Sequence, residues 1–75
     1  MKKKSIIPVS VLRPGIKVKC ANLWNGIVVF NNSIGEYSHG YEENDYGYLG
    51  PGFMVLYSEA GLVFSNTTED LVIVQ

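Results

Sequence analysis

The residues of this sequence that could support acid–base or nucleophilic chemistry are few, with one histidine, His39, and one cysteine, Cys20. A Ser–His or Cys–His pair would have to use His39, and nothing in the sequence places Cys20 near it. Ser38 adjoins His39, but on most backbones neighbouring side chains point in different directions. The paired carboxylates Glu42 and Glu43 lie in a polar, glycine-flanked stretch that is expected to be exposed to solvent. General acid–base catalysis by such a pair requires burial, which separates the two pKa values. We therefore expect a protein that is not an enzyme.

Potential metal ligands are concentrated in the same stretch, within ten residues of one another. They are Glu36, His39, Glu42, Glu43 and Asp45. Their spacing matches no zinc pattern, and the central glycine of a calcium-binding loop is missing. Charged side chains on a solvated loop explain the cluster better, so the sequence predicts neither a metal site nor a cofactor.

Residues 31–50 form a long segment rich in tyrosine and acid, and loops of this length are usually functional or mobile. Tyrosine supplies large, rigid contact area at small entropic cost and is enriched in binding surfaces. The first hypothesis is a protein-binding surface made by Trp24, Tyr37, Tyr41, Glu42, Glu43, Asp45, Tyr46 and Tyr48. Its acids would suit a basic target such as the nucleic-acid channel of an enzyme, as in small inhibitors or regulators of phages and mobile elements. The alternative is that these tyrosines only cover the fold.

Charge is segregated along the chain, since all six Lys and Arg residues precede position 20 and all seven acids follow position 35. Arg13, Lys17 and Lys19 could neutralise phosphates, with Trp24 as a stacking platform, and nucleic-acid binding is therefore the second hypothesis. Against it stands a net charge of −1, because nucleic-acid-binding domains usually carry a clear basic excess. Folding could also interleave the two halves and cancel the pattern.

The elements that must position these residues are short strands. Residues 53–64 predict a hairpin, in which Gly61 supplies the positive φ that a tight connection needs. Residues 16–20 alternate apolar and polar side chains. This pattern places Lys17 and Lys19 in solvent and the three apolar residues on the core face, namely Ile16, Val18 and Cys20. Residues 27–30 and 71–74 predict further strands, and the whole order predicts a locally connected antiparallel meander.

The remaining segments are expected to connect these strands. Trp24 is expected in a loop that ends in the turn dipeptide Asn25-Gly26. Residues 65–70 suit one turn of capped helix, residues 6–12 an extended edge segment, and residues 1–5 a solvated basic tail. Within 31–50, residues 37–41 and 46–49 could pair as an extra hairpin.

A family resemblance rests on four short stretches that follow one another along the sequence. An alternating strand follows Gly15, then come Trp24-Asn25-Gly26, then Tyr57 followed by Gly61, and lastly Glu69-Asp70-Leu71 before a final strand. This order resembles the small SH3-like barrels of the Tudor and KOW kind. The resemblance implies a strongly bent barrel that is used for binding. We therefore expect one all-β domain over residues 1–75, a five- to six-stranded antiparallel SH3-like barrel with a long 31–50 loop or extra hairpin. An aromatic cage for a methylated cation, built from Trp24, Tyr57 and a loop tyrosine, is a further option.

Several of the predicted strands are apolar on both faces, although one face of a barrel strand must point outward. Either other parts of the chain cover that face or a second molecule does, which favours self-association or a protein partner. One cysteine allows no internal disulfide and fits a reducing compartment. The basic start and short apolar run make a poor secretion signal, and no run is long enough to cross a bilayer. We therefore expect a cytoplasmic protein without a membrane partner.

Overall fold

The computed structural model describes residues 7–21 and 23–74. The predicted basic tail, residues 1–5, lies outside these ranges. Six strands are present: β1 (Lys17–Cys20), β2 (Trp24–Asn31), β3 (Glu36–Tyr37), β4 (Phe53–Tyr57), β5 (Gly61–Ser65) and β6 (Leu71–Val74). A single helical turn, α1 (Glu43–Tyr46), and two 3-10 turns (Val9–Val11 and Gly47–Leu49) complete the elements.

All strands belong to one antiparallel sheet in the order β5-β4-β2-β1-β6, and the two-residue β3 pairs with β2. The predicted all-β fold with five to six antiparallel strands is confirmed. The expectation of a strictly local order is wrong for the last strand, because β6 pairs with β1 rather than with β5. A chain whose last strand returns to its first one brings the two ends of the meander towards each other, as a small barrel requires.

The predicted hairpin is present and regular. β4 and β5 pair without interruption from Phe53↔Ser65 to Tyr57↔Gly61. Gly61 has a φ of +78°, a left-handed conformation in which a side chain would be strained. The turn therefore sets a register that keeps the odd-numbered residues of both strands on the inner side.

Strand β2 changes phase at a β-bulge. It pairs with β4 at Val28↔Val55 and resumes at Phe30↔Met54, which leaves Val29 as the extra residue. Val28 therefore points into the inner core, whereas Val29 and Phe30 both belong to a cluster on the outer face. One strand can thus contribute buried side chains to both sides of the sheet.

The inner core lies between the curled halves of the sheet. Its buried members are Leu12, Val18, Val28, Phe53, Val55, Tyr57 and Leu71. Cys20 packs against this cluster, as its phase in β1 predicts, and is partly buried. The alternation of residues 16–20 is confirmed, since Val18 is buried while Lys17 is exposed.

The second cluster lies on the outer face and is covered by the tyrosine-rich segment. Val29, Phe30 and Met54 are buried there. The side chains of Tyr37, Tyr41, Tyr46 and Leu49 pack over them. Residues 36–50, named the tyrosine cap below, therefore fold back onto the sheet as a loop with short turns. The extra hairpin is not formed, because residues 46–49 form helical turns and only Glu36–Tyr37 adds a strand pair within this segment.

The prediction that Trp24 lies in a loop is wrong, because Trp24 is the first residue of β2 and pairs with Cys20. The turn lies earlier, where Ala21 has a φ of +53° and the Leu23 amide donates to the Cys20 carbonyl. Gly26 lies within β2, and the position requires glycine because a Cβ there would lie 2.6 Å from the Cδ1 atom of the Tyr57 ring. The Asn25-Gly26 pair therefore serves close packing rather than a turn.

Two further connections differ from expectation. The described part of the 6–12 segment contains the 3-10 turn Val9–Val11 and closes one end of the barrel, rather than running as an edge strand. The buried amide of Asn31 holds it there by donating to the carbonyls of Val9 (2.9 Å) and Leu12 (3.0 Å). Residues 65–70 contain no helix: Ser65 ends β5, a bend and a turn follow, and the Thr68 hydroxyl donates to the Ile7 carbonyl. In both places side-chain hydrogen bonds to the backbone replace regular structure.

Candidate protein-binding surface

The tyrosine cap is anchored on one buried ring. The centroid of the Phe30 ring lies 4.8 Å from that of Tyr46, 5.3 Å from that of Tyr37 and 6.2 Å from that of Tyr41. Tyr41 and Tyr46 are themselves 5.6 Å apart. Such offset and tilted aromatic pairs each contribute about 0.5–1.5 kcal/mol beyond the area they bury. Three of the four tyrosines predicted to bind a partner are thus partly buried in the fold and hold the cap in place.

The two ends of the cap are joined by polar contacts around Asn32. Its side-chain amide donates to the carbonyls of Tyr46 (3.0 Å) and Gly50 (2.9 Å), and its backbone amide donates to the carbonyl of Gly52 (2.7 Å). The hydroxyl of Tyr37 donates to the side-chain oxygen of Asn32. Burial, followed by the negative charge of Glu43, raises the pKa of this phenol. The cap is therefore a closed loop that presents a fixed outer surface.

That outer surface carries one aromatic ring and three carboxylates. Tyr48 is 82% exposed, and Glu42, Glu43 and Asp45 are also exposed. The structure thus divides the predicted set into an anchoring group and an exposed group. The exposed group offers another molecule the larger accessible surface, whereas the anchoring tyrosines are partly covered by the fold.

Next to the cap, part of the outer face of the sheet is exposed to solvent. The strand registers align Leu62, Leu56, Ile27, Lys17 and Val74 in one row across five strands. Leu62 is 47% and Leu56 is 41% exposed, and Val72 and Val74 on β6 are also exposed. We name Ile27, Leu56, Leu62, Val72 and Val74 the outer patch. Ile27 also packs against the second cluster, so the patch and the cap form one continuous surface.

The basic residues predicted to bind nucleic acid do not converge. Lys17 and Lys19 point to the outer face of β1, between Ile27 and the β6 valines of the outer patch, whereas Trp24 pairs with inward-facing Cys20. Arg13 forms an ion pair with Glu36 at 2.8 Å, and the Glu36 carboxylate raises its pKa. The stacking platform and the phosphate-binding charges thus lie on different faces.

Trp24 lies at the mouth of a small pocket at the opposite end of the barrel from Asn31. Its ring is 5.6 Å from that of Tyr57, and a volume of about 120 Å³ is lined by these two rings, Asp70 and Leu71 among others. Burial, then the Cys20 thiol, raises the pKa of Tyr57 to about 12. Tyr57 is buried, so this pair presents one exposed ring face. Among the described residues no loop tyrosine lines the pocket, and the predicted aromatic cage therefore lacks its third ring.

Within residues 7–21 and 23–74, no three His, Cys, Asp or Glu side chains converge in a way that could hold a metal ion. No helix in the same ranges is both long and apolar enough to span a membrane. Comparisons with protein-family models, with curated proteins and with solved structures find no match to this chain.

The outer patch is a candidate surface that residue types alone do not identify. Its signal in the sequence is the apolar character of both faces of residues 27–30, 53–57 and 71–74. That signal predicts that both faces of the sheet are covered. It does not show how much of the outer face the tyrosine cap covers, because the extent of the cap depends on its tertiary contacts.

Proposed function

We propose that this protein is a non-enzymatic protein-binding module that contacts its partner with the outer patch and the adjoining tyrosine cap. The observation that carries this proposal is the half-covered outer face, where Leu56 and Leu62 stay exposed beside a cap that buries their neighbours Phe30 and Met54. Contiguous exposed apolar patches with polar rims mark association sites in soluble proteins. The resemblance to SH3-like barrels, which serve in binding, supports the same class.

The charges around the patch define the kind of partner. The cap contributes Glu42, Glu43 and Asp45 on one side, and Lys17 and Lys19 of β1 lie within the surface, between β2 and the valines of β6. A complementary partner carries an apolar centre, with basic side chains towards the cap and acidic ones towards the lysines. The exposed carboxylates favour a basic protein, which supports a role as inhibitor or regulator of a nucleic-acid-handling enzyme. A chain without a disulfide fits a cytoplasmic setting for this role.

The test is affinity capture from a nuclease-treated lysate of the source organism, with matched variants on the beads. Leu56→Ser removes a patch side chain, Tyr48→Ala removes the exposed cap ring, and Leu23→Ser is the control. Leu23 is 71% exposed but lies in the β1–β2 turn, outside the patch. We expect one protein to be retained by the wild type and by Leu23→Ser, and its recovery to fall at least about tenfold with Leu56→Ser, as for a central interface residue. Equal recovery by all variants would contradict the proposal.

Nucleic-acid binding makes a different prediction in the same experiment. Phosphate contacts weaken steeply with salt, and they would depend on Lys17 and Lys19. If capture disappears after nuclease treatment, or is lost with Lys17→Glu but not with Leu56→Ser, the basic face is the binding site and the proposed surface is wrong.

A further inference from the structure

Strand β5 forms one end of the sheet, and among the described residues it pairs only with β4 along one edge. Alternate residues of an antiparallel strand direct their N–H and C=O groups away from the neighbour, so the other edge offers donors and acceptors for pairing. Natural edge strands are usually protected by charge, proline or a bulge. Gly61–Ser65 has no charged residue and no proline, and its register is unbroken.

The sequence of β5 is complementary to itself. An antiparallel pairing about a two-fold axis at Val63 places Leu62 opposite Phe64 of a second copy and Gly61 opposite Ser65. Each pair then combines residues of similar size, and no charge faces a like charge. Beyond the strand, Glu59 would lie opposite Thr67 of the other copy, so the carboxylates stay apart. An interface that maps onto itself in this way is the condition for a closed two-fold dimer.

We infer that β5 is a dimerisation edge that pairs antiparallel with β5 of a second copy of this chain. The pairing merges the two sheets, and it brings Leu62 of one copy, which is 47% exposed, against Phe64 of the other on the outer face. Leu62 already neighbours Leu56, and Phe64 neighbours Met54, so the apolar rows of the two copies become continuous. The inference concerns the edge of the sheet and does not depend on the partner proposed above.

The expected affinity is moderate. One five-residue strand with two outer side chains is smaller than the roughly 20–30 residues a side of a standard interface, so we expect a reversible dimer that is populated at about 100 µM. Sedimentation equilibrium over roughly 10 µM to 1 mM covers this range. A chain that stays monomeric throughout overturns the proposal without bearing on capture of a different protein.

Matched substitutions separate edge pairing from packing of one sheet face on another. Leu62→Lys places a charge on the edge strand, and Leu56→Lys places the same charge on the same face of β4, directly opposite in the register. We expect Leu62→Lys to weaken dimerisation at least about tenfold, because charged edges oppose pairing, and Leu56→Lys to change it less than about threefold. If Leu56→Lys weakens it as much, the two copies pack through their faces and the edge model fails.

A cross-link tests the geometry directly. In a Cys20→Ser background, Val63→Cys leaves the only thiol at the two-fold axis. Opposed residues in antiparallel strands have Cα atoms about 4.5–5.5 Å apart, within the range that a disulfide spans. Mild oxidation should therefore give a disulfide-linked dimer with Val63→Cys and little with Leu56→Cys. The reverse yield contradicts the pairing.

Discussion

Replacing Tyr46 with alanine should destabilise the whole protein, whereas the same change at Tyr48 should not. Tyr46 lies 4.8 Å from the Phe30 ring and 5.6 Å from Tyr41, and it is partly buried. Tyr48, two residues later in the same cap, is 82% exposed. The pair isolates the anchoring contact, because the residue type and the segment are unchanged.

The magnitude follows from the aromatic packing that the substitution removes. Two aromatic pairs at about 0.5–1.5 kcal/mol each, together with the burial of half a ring, give a cost of about 2–4 kcal/mol. A domain of this length is stable by about 4–11 kcal/mol, so Tyr46→Ala removes a large share. The midpoint of thermal unfolding should fall by roughly 10–25 °C. For Tyr48→Ala we expect a change within about 0.5 kcal/mol, as at other exposed positions.

Urea unfolding monitored through the single tryptophan measures this difference. Trp24 packs on Tyr57, away from the cap, and therefore reports on the barrel as a whole. A free energy of unfolding that falls equally with both variants, or by less than about 0.5 kcal/mol with Tyr46→Ala, would refute the anchoring of the cap on Phe30. If the unfolding transition of the tryptophan is unchanged but amide exchange in residues 36–50 is faster, the cap opens independently of the barrel. That result would contradict the packing of the cap and the sheet in one shared cluster.

Three further changes test other parts of the fold. Asn31→Ala should cost about 2–4 kcal/mol in urea unfolding, because it leaves buried backbone groups without their hydrogen-bond partners. Gly26→Ala should cost more than about 2 kcal/mol, since its Cβ would lie 2.6 Å from atoms of both Tyr57 and Val55; an unchanged unfolding midpoint would contradict this packing. The Tyr57 phenol has a raised pKa of about 12, so its contribution to stability should be complete below pH 10 and decline as the pH rises towards 12. Absorbance at 295 nm should show a late ionisation near pH 12 that Tyr57→Phe removes.

Local sequence patterns predict a strand of this fold correctly where an apolar–polar alternation or a turn residue allows only one backbone arrangement. The hairpin at Gly61 and the alternation around Val18 are examples, because both follow from backbone geometry and a single buried face. The position of Trp24 cannot be predicted in the same way. Asn25-Gly26 is a strong turn signal, but the close packing of Tyr57 on Gly26 outweighs it, and that contact joins residues far apart in sequence.

The candidate surface shows a similar division. The tyrosine-rich segment is recognisable as an unusual stretch with two possible roles, binding or covering the fold. Residue types do not distinguish Tyr46 from Tyr48, although the structure packs the first on Phe30 and exposes the second. Their roles depend on the helical turns of the cap, which place residues 46 and 48 on different sides.

The bulge at Val29 and the tyrosine cap are coupled. The extra residue adds the buried Val29 side chain to the outer face beneath the cap, and the Val29 carbonyl accepts a hydrogen bond from the Ser38 amide within the cap at 2.8 Å. A homologue that lost the cap but kept the extra residue would expose Val29 to water, and one that kept the cap without the extra residue would lose both that apolar side chain and the carbonyl that holds Ser38. We therefore expect evolution to gain or lose the one-residue insertion in β2 and the loop after it as a single unit.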